Sequence, residues 1–189
     1  SGAISHSEGS QTTASGASSH AEGSVSAASG IFAHAEGLNT TSSSYYSHAE
    51  GYYTEASYYS HSEGGYTKAI GYYSHSEGQG TSATGWGAHA EGVSSIASSV
   101  GSHAEGTETS ANGEFSHAEG QKSKAFGSVS HAEGSNTTAD GLGSHSEGVY
   151  TKAEGDHSHA EGEKSEAKGE SSHSEGAWTK AENTCDHAE

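Results

Sequence analysis

His48 and Glu50 stand one residue apart in the stretch SHAEG, and the same pair returns along the whole chain. The histidines of the pair are His6, His20, His34, His48, His61, His75, His89, His103, His117, His131, His145, His159, His173 and His187. Two positions after each comes a glutamate: Glu8, Glu22, Glu36, Glu50, Glu63, Glu77, Glu91, Glu105, Glu119, Glu133, Glu147, Glu161, Glu175 and Glu189. An imidazole beside a carboxylate can share a hydrogen bond, exchange a proton or hold a metal ion. A serine usually precedes the histidine, which raises nucleophilic catalysis as a further chemistry. Neighbouring residues on a strand point to opposite faces, however, so that serine cannot hand its proton to that imidazole. A site copied at every repeat is scaffold. No enzymatic activity and no cofactor is expected, and the chain has no Walker loop, dinucleotide fingerprint or EF-hand.

The elements that carry the pair follow from its spacing. Successive motif histidines are 14 residues apart, except for one interval of 13 between His48 and His61. Each period contains two similar heptads, S-H-A-E-G-x-x and T-x-A-x-G-x-x, as in SHSEGQGTSATGWG over 74–87. Within a heptad, Ser or Thr, Ala or Ser, and Gly alternate with the variable positions. Such alternation predicts a short strand with its small residues on one face. A helix is disfavoured by the period and by a glycine at about every seventh place. The expected fold is all-β, a solenoid with one coil per period, built from strands of about five residues and two-residue corners. Its interior is thin enough to admit only Ala, Ser, Thr and Gly. Residues 1–189 form one repetitive domain of about thirteen coils. The pattern is already running at the first residue and still running at the last, which is read as a segment of a longer chain.

Composition alone points elsewhere. Hydrophobic residues make up 29% of the chain, and proline, methionine and arginine are absent. A chain this polar would ordinarily fail to bury enough apolar surface to fold, but strict periodicity overrides that inference. Fourteen of the 25 acidic residues belong to the motif, so the net charge of −18 comes mostly from it. With no basic patch, nucleic acid is excluded as a partner. No apolar run is long enough to insert in a membrane. Cys185 is the single cysteine, falls at a corner, and is expected to be a free thiol.

Charge also tests the register. Lys152, Glu166 and Lys180 fall in one outward column and Glu154, Lys168 and Glu182 in its neighbour, so opposite charges stack on and face each other. The threonines Thr40, Thr54, Thr67 and Thr81 are placed inward by the same phase. Ile31, Phe32, Ile70, Ile96 and Phe126 are expected at the faces and corners, and His157 at a corner outside the ladder.

Nine of the ten tyrosines, Tyr45, Tyr46, Tyr52, Tyr53, Tyr58, Tyr59, Tyr66, Tyr72 and Tyr73, fall at the two corners of adjacent coils, with Trp86 following. They read either as aromatic ladders that stabilise neighbouring coils or as a binding patch for a ligand.

Since Ser, Ala and Gly point inward, His and Glu must point outward. Nothing inside one chain demands those two types there at every coil, and so thin an interior buries little. The face is therefore expected to be covered by copies of itself, with His and Glu satisfying one another across the seam.

The paired heptads S-x-A-x-G-x-x-[ST]-x-A-x-G-x-x resemble the head repeats of trimeric autotransporter adhesins, the YadA-like head, with related repeats in phage and prophage tail fibres. The resemblance covers essentially the whole chain. It implies a left-handed parallel β-roll assembled as a homotrimer around a threefold axis. It also implies an extracellular place on a cell surface or phage particle, and an adhesive role with a host-surface glycan or protein as partner. Family repeats read like S-V-A-I-G, and Val and Ile supply the intersubunit core. Here His and Glu occupy those two positions, so the resemblance makes the whole His/Glu ladder the trimer interface. The competing reading is a His-rich metal-binding trimeric assembly; no residue is assigned as a metal ligand. Each carboxylate is expected to raise the pKa of its imidazole, so that the assembly weakens as pH rises.

Overall fold

The computed structural model describes residues 2–189. Its elements are parallel strands, with no helix among the described residues. They form a β-solenoid of about 13 coils repeating at about 14 residues, in two compact units, Ser1–Ser94 and Ser95–Glu189.

Within the first unit, His20–Ser24, His34–Leu38 and His48–Tyr52 lie side by side with like positions facing: histidine on histidine, glutamate on glutamate, glycine on glycine. Within the second, His117–Gln121, His131–Ser135 and His145–Val149 repeat that register. The other heptad supplies a second stack, as in Lys124–Ala125, Thr138–Ala139 and Lys152–Ala153. A strand shifted by one residue would turn histidine into the interior and a small residue out, so register follows from the pattern itself.

The two strands of a coil are unequal. His117–Gln121 has five residues but Lys124–Ala125 only two, where about five were expected of both. The cause lies just after Ala125: the N–H groups of Phe126 and Gly127 both donate to the carbonyl of Ala139, at 2.9 and 3.2 Å. Two donors on one carbonyl end the ladder and start the corner. In the longer strand, glycine prolongs the ladder. Gly134 has φ +108, and a Cβ there would lie 2.2 Å from the carbonyl oxygen of Gly148 in the next coil. Only glycine permits both that dihedral and that approach.

At each corner the second residue is left-handed. Val129, Asn136, Tyr150, His157 and Lys164 all have φ between 56 and 59. Their N–H groups reach back to the preceding coil, as Val129 donates to Glu114 at 2.8 Å and Tyr150 to Ser135 at 2.9 Å. These bonds hold non-glycine residues in a region that most side chains avoid.

Alanine, serine and threonine fill the interior, and the largest fully buried side chains are threonines, including Thr40, Thr67 and Thr81. Thr54 is 2% exposed, so the whole expected threonine column lies inside. When the motif reads HSEG, its serine pairs with a threonine five residues on. Ser7–Thr12, Ser62–Thr67, Ser76–Thr81, Ser146–Thr151 and Ser174–Thr179 each place two hydroxyls 2.8 Å apart.

The shortened coil keeps register. His48 still faces His61 and Glu50 faces Glu63, so the missing residue is absorbed at the corner. There Ser57 alone donates its backbone N–H to Ala69, and the hydroxyl of Ser60 donates to the same carbonyl at 2.5 Å. A side chain thus replaces the second backbone donor found in a full coil.

Candidate functional site

Because Ser130, Ala132 and Gly134 face inward or lie against the next coil, His131 and Glu133 project outward on one face. The same holds for every motif pair within each unit. Inside a coil the imidazole Nε2 approaches the carboxylate at 3.3 Å in His34–Glu36, 3.5 Å in His131–Glu133 and 3.8 Å in His103–Glu105. The side chains are half-buried: His131 keeps 35% of its exposure and Glu133 38%.

Between coils the rings stack. Centroids are 4.9 Å apart for His131–His145 and 4.8 Å for His145–His159, with the planes within 3° and 2° of parallel. Around the shortened coil the column is disturbed, and His48–His61 and His61–His75 tilt by 36° and 60°. Stacking shields Nε2 from solvent, yet in His131, His145, His159 and His173 that atom finds no hydrogen bond of acceptable geometry. Its glutamate lies close, at 3.4–3.7 Å, but off line. Electrostatic attraction remains while the hydrogen bond is poor.

The expected rise in histidine pKa is overturned where a shift is resolved. His117 is held below the usual imidazole value, first by burial and next by the charge of His131, with Glu119, Glu105 and Glu133 opposing. His159 is lowered in the same way, by burial and then by His145 and His173. A ring clasped between two others loses hydration that it needs when charged, and its charged neighbours repel it. The carboxylates answer only part of that.

The tyrosines divide between the two corners. Tyr45, Tyr46, Tyr58, Tyr59, Tyr72, Tyr73 and Trp86 lie at the corner that precedes the histidine strand, and Tyr52, Tyr53 and Tyr66 at the corner that follows it. At the first, Phe32, Tyr46, Tyr59 and Tyr73 form a continuous stack with centroids 4.9, 5.3 and 5.1 Å apart. Tyr58 and Tyr72 stack beside it at 4.5 Å. At the second, Tyr53 stacks on Tyr66 and Tyr52 meets both edge-on. All remain exposed, Tyr73 at 59% and Trp86 at 61%. A ladder is thus present at each corner, and its outer face stays open to solvent. Ile31, Phe32, Ile70, Ile96 and Phe126 are exposed on faces and corners as expected. His157 and Cys185 occupy left-handed corner positions, and the thiol is free.

The charge columns pair as their alternation foretells. Glu166 lies 3.1 Å from Lys180 in the next coil and 3.0 Å from Lys168 beside it, and Lys152 lies 3.4 Å from Glu154. Hydrogen bonds from Lys168 and Lys180 hold the Glu166 carboxyl below its ordinary pKa. Two arrangements went unread in the sequence: Lys164 over the ring of Trp178 at 3.9 Å, and the serine–threonine pairs inside. The second had a visible signal, since each HSEG motif has threonine five residues later.

No family model matches this chain, and no curated protein matches it at a significant level.

Proposed function

We propose that this chain is a structural segment of a homotrimeric fibre, an adhesin head or phage-type tail fibre, whose copies meet along the His/Glu face. One observation carries the reading: histidine faces histidine and glutamate faces glutamate, coil upon coil, on an outward face that the coil does not need in order to close. Other outward columns vary freely. A surface held constant along its length is one that meets a partner of the same periodicity, and a second copy of the chain has it. Poorly aligned Nε2 atoms in that face also leave hydrogen-bonding capacity for groups beyond the chain. The resemblance of the repeats supports a left-handed roll, a threefold axis and an extracellular place. The open aromatic corners suit a host-surface glycan or protein, because tyrosine and tryptophan offer flat apolar area with a polar edge.

Light scattering in solution tests the assembly. A molar mass three times that of the 19.1 kDa chain is expected at neutral pH. Replacing the outward residues His131, Glu133, His145 and Glu147 by serine is expected to loosen the trimer while the circular dichroism of the coils persists. A mass of one chain at every concentration overturns the proposal.

A further inference from the structure

We propose that the His/Glu face binds late first-row divalent metal ions, zinc being the type, each held by the imidazole and carboxylate of one coil and the imidazole of the next. The ligand atoms of His131, Glu133 and His145 all lie within 4.8 Å of one another, and so do those of His159, Glu161 and His173. Both sets come from adjacent coils of one chain within the second unit, so the inference does not rest on self-association.

Three features favour an ion over a plain hydrogen bond. First, the in-coil Nε2–Oε2 separations of His131–Glu133 and His159–Glu161 are 3.5 and 3.4 Å, and neither makes an acceptable hydrogen bond. Two ligands of a tetrahedral zinc ion, at bonds of about 2.0–2.2 Å, stand roughly 3.4 Å apart. The pair is therefore spaced for an ion between its members. The next imidazole must approach by about 1 Å to join them, and rings that keep about a third of their surface exposed are free to turn that far.

Second, the face holds an uncompensated column of carboxylates. Glu133 faces Glu147 in register, and the seven lysines all lie in other columns. Like charges facing each other across strands repel, and a cation at each pair relieves this. Third, two imidazole nitrogens with one carboxylate oxygen form a donor set suited to zinc, copper or nickel, whereas magnesium and calcium prefer oxygen alone. Successive sets share a histidine, so simultaneous ions must alternate along the column, as the two sets named here do.

Equilibrium dialysis of the whole chain against zinc, with bound metal measured directly, tests this. The unmodified chain is expected to retain zinc in the presence of a hundredfold excess of calcium. The variant His131→Gln, His145→Gln, His159→Gln, His173→Gln, checked for retained strand signal, is expected to hold fewer ions and to bind the remainder no more tightly. Should that variant fail to fold, imidazole proton resonances of the unmodified chain are read instead: zinc is expected to move them and calcium to leave them in place. Zinc displaced by calcium, unchanged retention in the folded variant, or unmoved imidazole resonances overturns the inference. Light scattering on the same samples keeps the two proposals apart, since zinc retained by single chains upholds this one and defeats the trimer.

Discussion

Ser146 Oγ lies 2.8 Å from Thr151 Oγ1 across the interior of one coil, and the threonine hydroxyl passes its own proton on to the carbonyl of Glu147 at 3.1 Å. Both residues are fully buried. Thr137 holds the equivalent place one coil earlier, but opposite Ala132, and its hydroxyl has no hydrogen-bond partner. Ala132→Ser should supply one. Because alanine and serine already alternate at this position in stacked coils, the new hydroxyl fits, and a gain of about 1 kcal/mol is expected. Ser146→Ala should cost a similar amount. Urea unfolding of both variants decides the matter; a destabilised A132S would show that the interior has no room for the pair.

Val129 sits in the left-handed region at φ 59 with 62% of its surface exposed. A β-branched side chain is strained there, while asparagine is tolerated and keeps the N–H that donates to Glu114. Val129→Asn is expected to raise stability by about 1 kcal/mol, since little packing is lost. A lower unfolding midpoint for this variant would mean that the valine contributes more contact than its exposure implies.

Glycines of the two kinds should respond differently. Gly134→Ala places a methyl 2.2 Å from a backbone oxygen at φ +108, and a loss of about 3 kcal/mol or more is expected. Gly87→Ala meets nothing within 4 Å at φ +64, a conformation held by ordinary residues at other corners, so about 1 kcal/mol is expected. Thermal melts of the two variants side by side measure the contrast, and equal losses would refute it.

Acid should weaken the chain. Burial and stacking hold His117 and His159 below the usual imidazole pKa. A base lowered on folding contributes stability that is present above its unfolded value, about 6.5, and lost as pH falls through the folded one. The Glu166 carboxyl, lowered by Lys168 and Lys180, removes further stability at still lower pH. The urea midpoint of the chain in chelator is therefore expected to drop between pH 7.5 and pH 5. A midpoint that rises over that interval would restore the histidine–glutamate pairing as the dominant effect.

Much of the fold was legible in the chain itself. A period of 14 with small residues at alternate places specifies which side chains enter the coil, and a one-residue slip would bury histidine. The inward threonines, the outward His/Glu face, the lysine–glutamate columns and the corner tyrosines all follow from parity and period. Even the 13-residue interval was visible as a missing residue near Ser57.

What the tertiary structure decided concerns groups that parity cannot bring together. The second strand stops at two residues because Phe126 and Gly127 compete for one carbonyl in another coil. Ser146 finds Thr151 because the coil folds back across a narrow interior. Most tellingly, the sign of the histidine shift depends on distance in the stack: rings 4.8 Å apart shed water and repel when charged, whereas sequence shows only a glutamate two residues away. Periodicity is a statement about direction, in or out, and one chain suffices to read it. Desolvation and pairing are statements about neighbours 5 or 14 residues distant, and those exist only once the coils are stacked.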